Sequence, residues 1–185
     1  MENMAEKLVK KNKIYCGSAV DFFCDEVELP NGVVTRREYL THLGASAILP
    51  FVDKKNIVLV KQYRYPINQI TYEIPAGKID KGETPIKCAQ RELKEETGYR
   101  AKRLGALLSF YPTAAFSTEI LYIFVAFDLE DGQESPDEDE FLSKEIVSFE
   151  NAVKMAKTGK IKDSKTIVAL LYFENMGPSK DPWFC

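Results

Sequence analysis

The sequence is short of histidine, of paired cysteines and of long apolar runs. His42 is the one histidine in 185 residues. That excludes a multi-histidine metal site and leaves a hydrolase triad a single candidate base, with no serine-elbow motif nearby. His42 is read as a structural residue near a strand start. The four cysteines, Cys16, Cys24, Cys88 and Cys185, make no C-x-x-C pair and no zinc-ligand spacing. Reduced thiols in a cytoplasmic protein are therefore expected. The longest apolar run, Ile120 to Phe127, is far too short to cross a bilayer. The opening stretch, MENMAEKLVKKNK, has no apolar centre and does not read as a signal peptide. Basic excess is also missing: the net charge is -3 and the pI about 5.4. Without a bridging cation such a surface suits neither nucleic acid nor acidic membrane, and neither is expected as a partner.

What is present is ordinary globular composition, 45% hydrophobic and 29% charged, on a chain long enough to bury a core. Residues 14–29 have strand character, and Asn31-Gly32 signals a hairpin whose returning strand is Val33 to Leu40. Residues 1–42 thus read as a small antiparallel β subdomain, too small to be stable unless it packs on something. Residues 43–185 form the main domain. Ala45–Phe51, Ile57–Gln62, Tyr72–Ile74, Leu104–Tyr111, Ile120–Phe127 and Ile146–Phe149 read as strands, and Asp128–Glu140 as an acidic loop. Helices are expected over about Pro85–Thr97, Asn151–Lys157 and Ser164–Asn175, the last capped by Asp163 and stopped at Gly177-Pro178. The expected class is α/β, with a mixed β-sheet packed between helices.

The helix from Pro85 carries its acids at the disfavoured end. Thr84 suits the N-cap, Pro85 the first turn and Gly98 the left-handed C-terminal position. Ile86, Ala89 and Leu93 form the expected buried stripe. Glu92, Glu95 and Glu96 share another side, with Arg91 four residues before Glu95 and able to hold it. A helix C-terminus repels carboxylates by roughly 0.3–1 kcal/mol each at exposed sites, and these three also repel one another. Such a cluster calls for a cation. An all-oxygen donor set selects a hard ion, Mg²⁺ or Mn²⁺. The D-x-D-x-D-G calcium loop is absent.

Gly77, five residues, Glu83, seven residues and then Arg91-Glu92-Leu93-Lys94-Glu95-Glu96-Thr97-Gly98-Tyr99 resembles the Nudix box, G-x5-E-x7-R-E-U-x-E-E-x-G-U with U bulky and aliphatic. Only Tyr99 departs, being aromatic. The resemblance implies a Nudix-type α/β/α sandwich and a hydrolase of nucleoside diphosphates linked to X. It implies Glu92 and Glu96 as metal ligands, Glu95 as a ligand or a supporting catalytic group, and the Ala76 carbonyl as a further donor. Gly77, Glu83 and Arg91 would support the cluster.

The resemblance extends over nearly the whole chain and is greatest to the ADP-ribose pyrophosphatase branch. "VLVKQYRYP" resembles the branch's phosphate-binding strand, which makes Arg64 a substrate contact, and "YEIPAGKID" leads into the box with Glu73 implied either as a substrate contact or as a support one step behind it. Where the branch often has Ser-Pro-Gly-Phe-x-x-Glu, this chain has Thr113-Ala114-Ala115-Phe116-Ser117-Thr118-Glu119, keeping Phe116 and Glu119. The general base is implied in the acidic loop, Glu140 first and Glu138 second. A homodimer that exchanges residues 1–42 and brings Arg37 to the substrate is also implied. ADP-ribose is the foremost expected substrate. The alternatives are another nucleotide sugar or a dinucleotide, or a non-catalytic nucleotide-sensing module. Such modules often lose box carboxylates, and here all are present.

Overall fold

The computed structural model describes residues 4–18, 20–132 and 141–176. The chain divides into two compact units, residues 1–44 with 111–120, and residues 45–110 with 121–185.

The first unit is a twisted antiparallel sheet. β1 (Lys7–Lys10) and β2 (Lys13–Cys16) lie along one edge of β3 (Asp21–Glu28), and β4 (Val34–Thr41) pairs along the other. The single strand region expected over 14–29 is in fact two strands that reverse at Gly17, whose amide donates to the Val20 carbonyl at 3.1 Å. β3 alternates strictly, burying Phe23, Asp25 and Val27. Phe23 stacks on Tyr39, and Asp25 accepts from the Tyr39 hydroxyl at 2.7 Å and from the Asn12 amide at 2.8 Å. Residues 111–120 belong here because Leu40 bridges Ser117: its amide donates to the Phe116 carbonyl, and its carbonyl accepts from Thr118.

The second unit has two sheets and three helices. The mixed sheet runs β8 (Ala76–Lys78), β5 (Ala45–Pro50), β10 (Leu121–Glu130), β9 (Arg100–Phe110), with β5 and β10 parallel and the other pairs antiparallel. The second sheet is antiparallel: β11 (Leu142–Ser148), β6 (Asn56–Arg64), β7 (Gln69–Glu73). The helices are α1 (Pro85–Thr97), α2 (Phe149–Lys157) and α3 (Ser164–Asn175).

Strand alternation separates two cores. Ala47 and Leu49 of β5, with Leu121, Ile123 and Val125 of β10, join the core that contains α2 and α3. Ile48, Phe124 and Ala126 face the other way, onto Ala89 and Leu93 of α1. Helices thus cover both faces of the mixed sheet, the expected α/β/α arrangement.

α1 and α3 have the bounds expected from their punctuation. Thr84 has the extended backbone of an N-cap, but its side chain makes no capping bond. The buried stripe differs from the expected one at one position. Ile86 is exposed and Cys88 takes the buried position, so the apolar face is Cys88, Ala89 and Leu93. The first turn of α1 is tied to β5, where the Ser46 hydroxyl donates to the Pro85 carbonyl at 2.8 Å, and the inward side begins two residues later than apolar spacing suggests.

Candidate active site

The site grows from the turn between β8 and α1. The Glu83 amide donates to the Asp80 carbonyl at 2.9 Å, and the Glu83 carboxylate accepts from the Asp80 amide at 3.1 Å, which closes a compact loop. The chain then turns into α1, and the Gly98 amide, in the left-handed conformation, donates to the Lys94 carbonyl. Glu92 and Glu96 on this helix are buried, and Glu95 is half-buried.

Arg91 gathers the acids more fully than its spacing suggests. It was expected to hold Glu95, and its Nη1 does donate there at 2.9 Å. The same nitrogen also donates to Glu92 at 2.7 Å, while Nε and Nη2 fork onto Glu83 at 3.0 and 3.1 Å. Nη2 reaches the Lys78 carbonyl as well, tying the box loop to the helix. Bonding to Glu83 and the charge of Glu92 hold the guanidinium well above its usual pKa, and Arg91 in turn holds Glu83 below the ordinary carboxylate range. One guanidinium against four carboxylates still leaves an excess of negative charge.

Gly77 has a specific steric role. A Cβ there would lie 1.8 Å from Glu92 Oε1, so any side chain would displace that carboxylate from Arg91. Behind it, Cys88 Sγ lies 3.5 Å from the Gly77 and Lys78 carbonyls. Burial and the Glu92 charge push this thiol up to about 12, so it stays protonated and is no nucleophile.

Arg64, at the end of β6, is held above its ordinary pKa chiefly by its bond to Glu73. Its Nε and Nη2 fork onto Glu73 of β7 at 2.8 and 2.7 Å. Glu73 is buried, which opposes its ionisation, yet Arg64 and Lys165 together bring its pKa down to about 2. Lys165 and Asp163, at the start of α3, were not anticipated as neighbours of this group. Nothing short of the fold brings Lys165 to Glu73, since 92 residues separate them. Arg64, Ile67, Thr71, Glu73, Lys162, Asp163, Ser164 and Lys165 line a cavity of about 410 Å³.

The remaining expected residues are placed as follows. Ala76 opens β8, one residue before Gly77. Phe116 is exposed on a turn where the Thr113 carbonyl accepts from the amides of Phe116 and Ser117. Arg37 on β4 forks onto Glu6. Glu138 and Glu140 lie outside the described residues.

The donor set fits a hard divalent ion by its chemistry, being clustered carboxylates beside a backbone carbonyl. Among the described residues, however, no three His, Cys, Asp or Glu side chains converge as a ready-made cage. Arg91 takes one oxygen each of Glu92 and Glu95.

The NUDIX domain family model matches residues 40–170. The chain is 41% identical over 176 residues to an ADP-ribose pyrophosphatase of Bacillus subtilis (strain 168), covering 94% of this chain and 95% of that protein. It is 40% identical over 171 residues to a methanol dehydrogenase activator of Bacillus methanolicus, covering 91% and 92% respectively. A crystal structure of an ADP compounds hydrolase matches with a TM-score of 0.83 at 22% identity, over 92% of this chain and 93% of the other, a likeness of fold. With every fixed box position filled and its acids gathered around one arginine, the chain belongs to the Nudix family and is a Nudix hydrolase.

Proposed function

We propose that the enzyme hydrolyses the diphosphate bond of a nucleoside diphosphate linked to X, with ADP-ribose, split to AMP and ribose 5-phosphate, as the foremost substrate. The observation that carries this reading is the gathering of the box acids Glu83, Glu92 and Glu95 on Arg91, with Glu92 and Glu96 buried on the same helix. The 41% identity to an ADP-ribose pyrophosphatase over almost the whole chain favours ADP-ribose among such substrates.

Nudix hydrolases generally depend on a divalent metal. Glu92, Glu96, Glu95 and the Ala76 carbonyl would hold Mg²⁺ or Mn²⁺, which when bound supplies charge neutralisation for a diphosphate that this acidic helix end would otherwise repel. The protein's own groups do the rest. Glu73 occupies the Nε–Nη2 edge of Arg64, and Nη1 donates to no described residue, so the outer edge of the guanidinium is open to a phosphate oxygen. Arg91 keeps Glu83, Glu92 and Glu95 together during turnover. Hydrolysis breaks one phosphorus–oxygen bond of the anhydride and consumes one water, whose proton must be accepted. We assign that proton to Glu140, with Glu138 as the second choice. Phe116 is kept as a proposed substrate contact.

A panel of ADP-ribose, nucleotide sugars and dinucleotides, assayed by phosphate released with added phosphatase, tests the reading. ADP-ribose should be the best substrate, with Mg²⁺ or Mn²⁺ required and chelator abolishing turnover. Preference for another nucleotide sugar or a dinucleotide would move the substrate and keep the chemistry. Tight nucleotide binding with no hydrolysis of any member would mean a sensing module.

A further inference from the structure

Glu73 is a carboxylate with about four acceptor positions, and the fold fills all of them. Arg64 of β6 donates twice, the Thr71 hydroxyl once and the Lys165 ammonium once. Lys165 is half-buried, with 12% of its side chain exposed, and also donates to Asp163 at 2.9 Å. Arg64, by contrast, keeps 41% of its side chain exposed. A half-exposed arginine with one partner has many arrangements that preserve one ion pair. Here the partner cannot turn about its last torsion without losing Lys165, so the guanidinium fork is confined to one plane.

We propose that Lys165 is a positioning residue: acting through Glu73, it fixes the plane of Arg64 and so the direction of the open edge that meets the substrate diphosphate. This rests on the reading that Arg64 contacts a diphosphate. The bland explanation is that Lys165 merely pins α3 to β7. That task is already done by others. Thr166 Oγ1 accepts from the Ile74 amide at 2.8 Å and donates to Asp163, which also caps the Thr166 amide at 3.0 Å. With the helix start docked independently, what Lys165 adds is its hold on the carboxylate that Arg64 uses.

The test compares Lys165→Met and Lys165→Arg, each alone and in an Arg64→Lys background, using the best substrate of the panel. Lys165→Met should raise KM about tenfold, the scale of one misdirected charge-assisted contact, with kcat little changed. Lys165→Arg should restore most of the loss. In the Arg64→Lys background Lys165→Met should add nothing, because the oriented group is gone. A readout independent of turnover is the NMR signal of the Arg64 Nε–H group, expected to be rigid in the wild type and motionally averaged in Lys165→Met. Multiplying effects in the double variant, or an Arg64 signal unaltered by Lys165→Met, would overturn the proposal. If Lys165→Met fails to fold, Lys165 is a structural pin and the proposal falls. If the wild type hydrolyses no diphosphate, the functional reading fails on its own, and the Arg64 signal decides the positioning role.

Discussion

Glu96 differs from its box neighbours in its company. Arg91 bonds Glu83, Glu92 and Glu95, and Glu96 is buried on the same helix. We propose this buried carboxylate as a ligand of the divalent ion. Glu96→Gln is expected to cut kcat/KM by orders of magnitude under saturating Mg²⁺ while circular dichroism stays native. In chelator its melting temperature should hold or rise, since a buried negative charge at a helix C-terminus is removed. A variant with full turnover, or one that fails to fold, would contradict the ligand role. The base is a separate matter. Glu140→Gln should lower kcat by about 10²–10⁴-fold with little change in KM, as removal of a proton acceptor does. If Glu138→Gln alone is crippling, the base is Glu138. If neither change matters, the proton leaves by another route.

At the scale of elements, punctuation was legible and lateral contacts were not. Pro85 and Gly98 bound α1, and Asp163 begins α3, because caps act through residues adjacent in sequence. Strand cores such as Ile57–Val60 were legible because they are apolar without interruption. The acids of α1 could be read from spacing, and so could the Arg91–Glu95 pair, four residues apart. Three things could not. β1 is a four-residue strand exposed at every position, so no alternation marks it. The inward side of α1 depends on how the helix lies on β5, and this exchanged Ile86 for Cys88. The Glu73 cluster joins β6, β7 and α3, and it leaves no local trace.

The pairing of Glu73 with two cations gives this region a pH signature. Its folded pKa, about 2, lies below the ordinary 4.5, so its stabilisation is complete above about pH 4.5 and is lost as pH falls through about 2. The buried side chain makes that contribution on the order of 3 kcal/mol at neutral pH. Urea unfolding between pH 6 and pH 2, compared with Glu73→Gln, should show a stability difference that shrinks across that window. Parallel curves would place the acid sensitivity elsewhere.

At the scale of the whole molecule, the first unit bears on association. Leu8, Val9, Ile14, Tyr15, Val33 and Val34 are all exposed there, while Phe23 and Val27 are buried. Leu8 pairs with Val27 and shares its face, whereas Val34 pairs with Glu28 on the opposite face, so apolar surface on both faces of the sheet is still uncovered. We propose that a second copy of the chain covers it, giving a homodimer in which Arg37 of one protomer serves the site of the other. Arg37 forks onto Glu6, so engaging a substrate phosphate would require it to exchange that exposed pair, which is weak and cheap to break. The turn carrying Phe116 belongs to the same unit through Leu40 and Ser117. Deleting residues 1–42 would therefore remove the dimer face and also untie the turn at Leu40. The truncated chain should be monomeric, with KM raised more than its melting temperature alone would explain. Arg37→Ala, which leaves the sheet intact, should raise KM without changing the sedimentation mass. Sedimentation equilibrium of the full chain at micromolar concentration should give twice the 21.0 kDa protomer mass. A fully active 21.0 kDa monomer would refute the dimer and, with it, the reach of Arg37 into a second site.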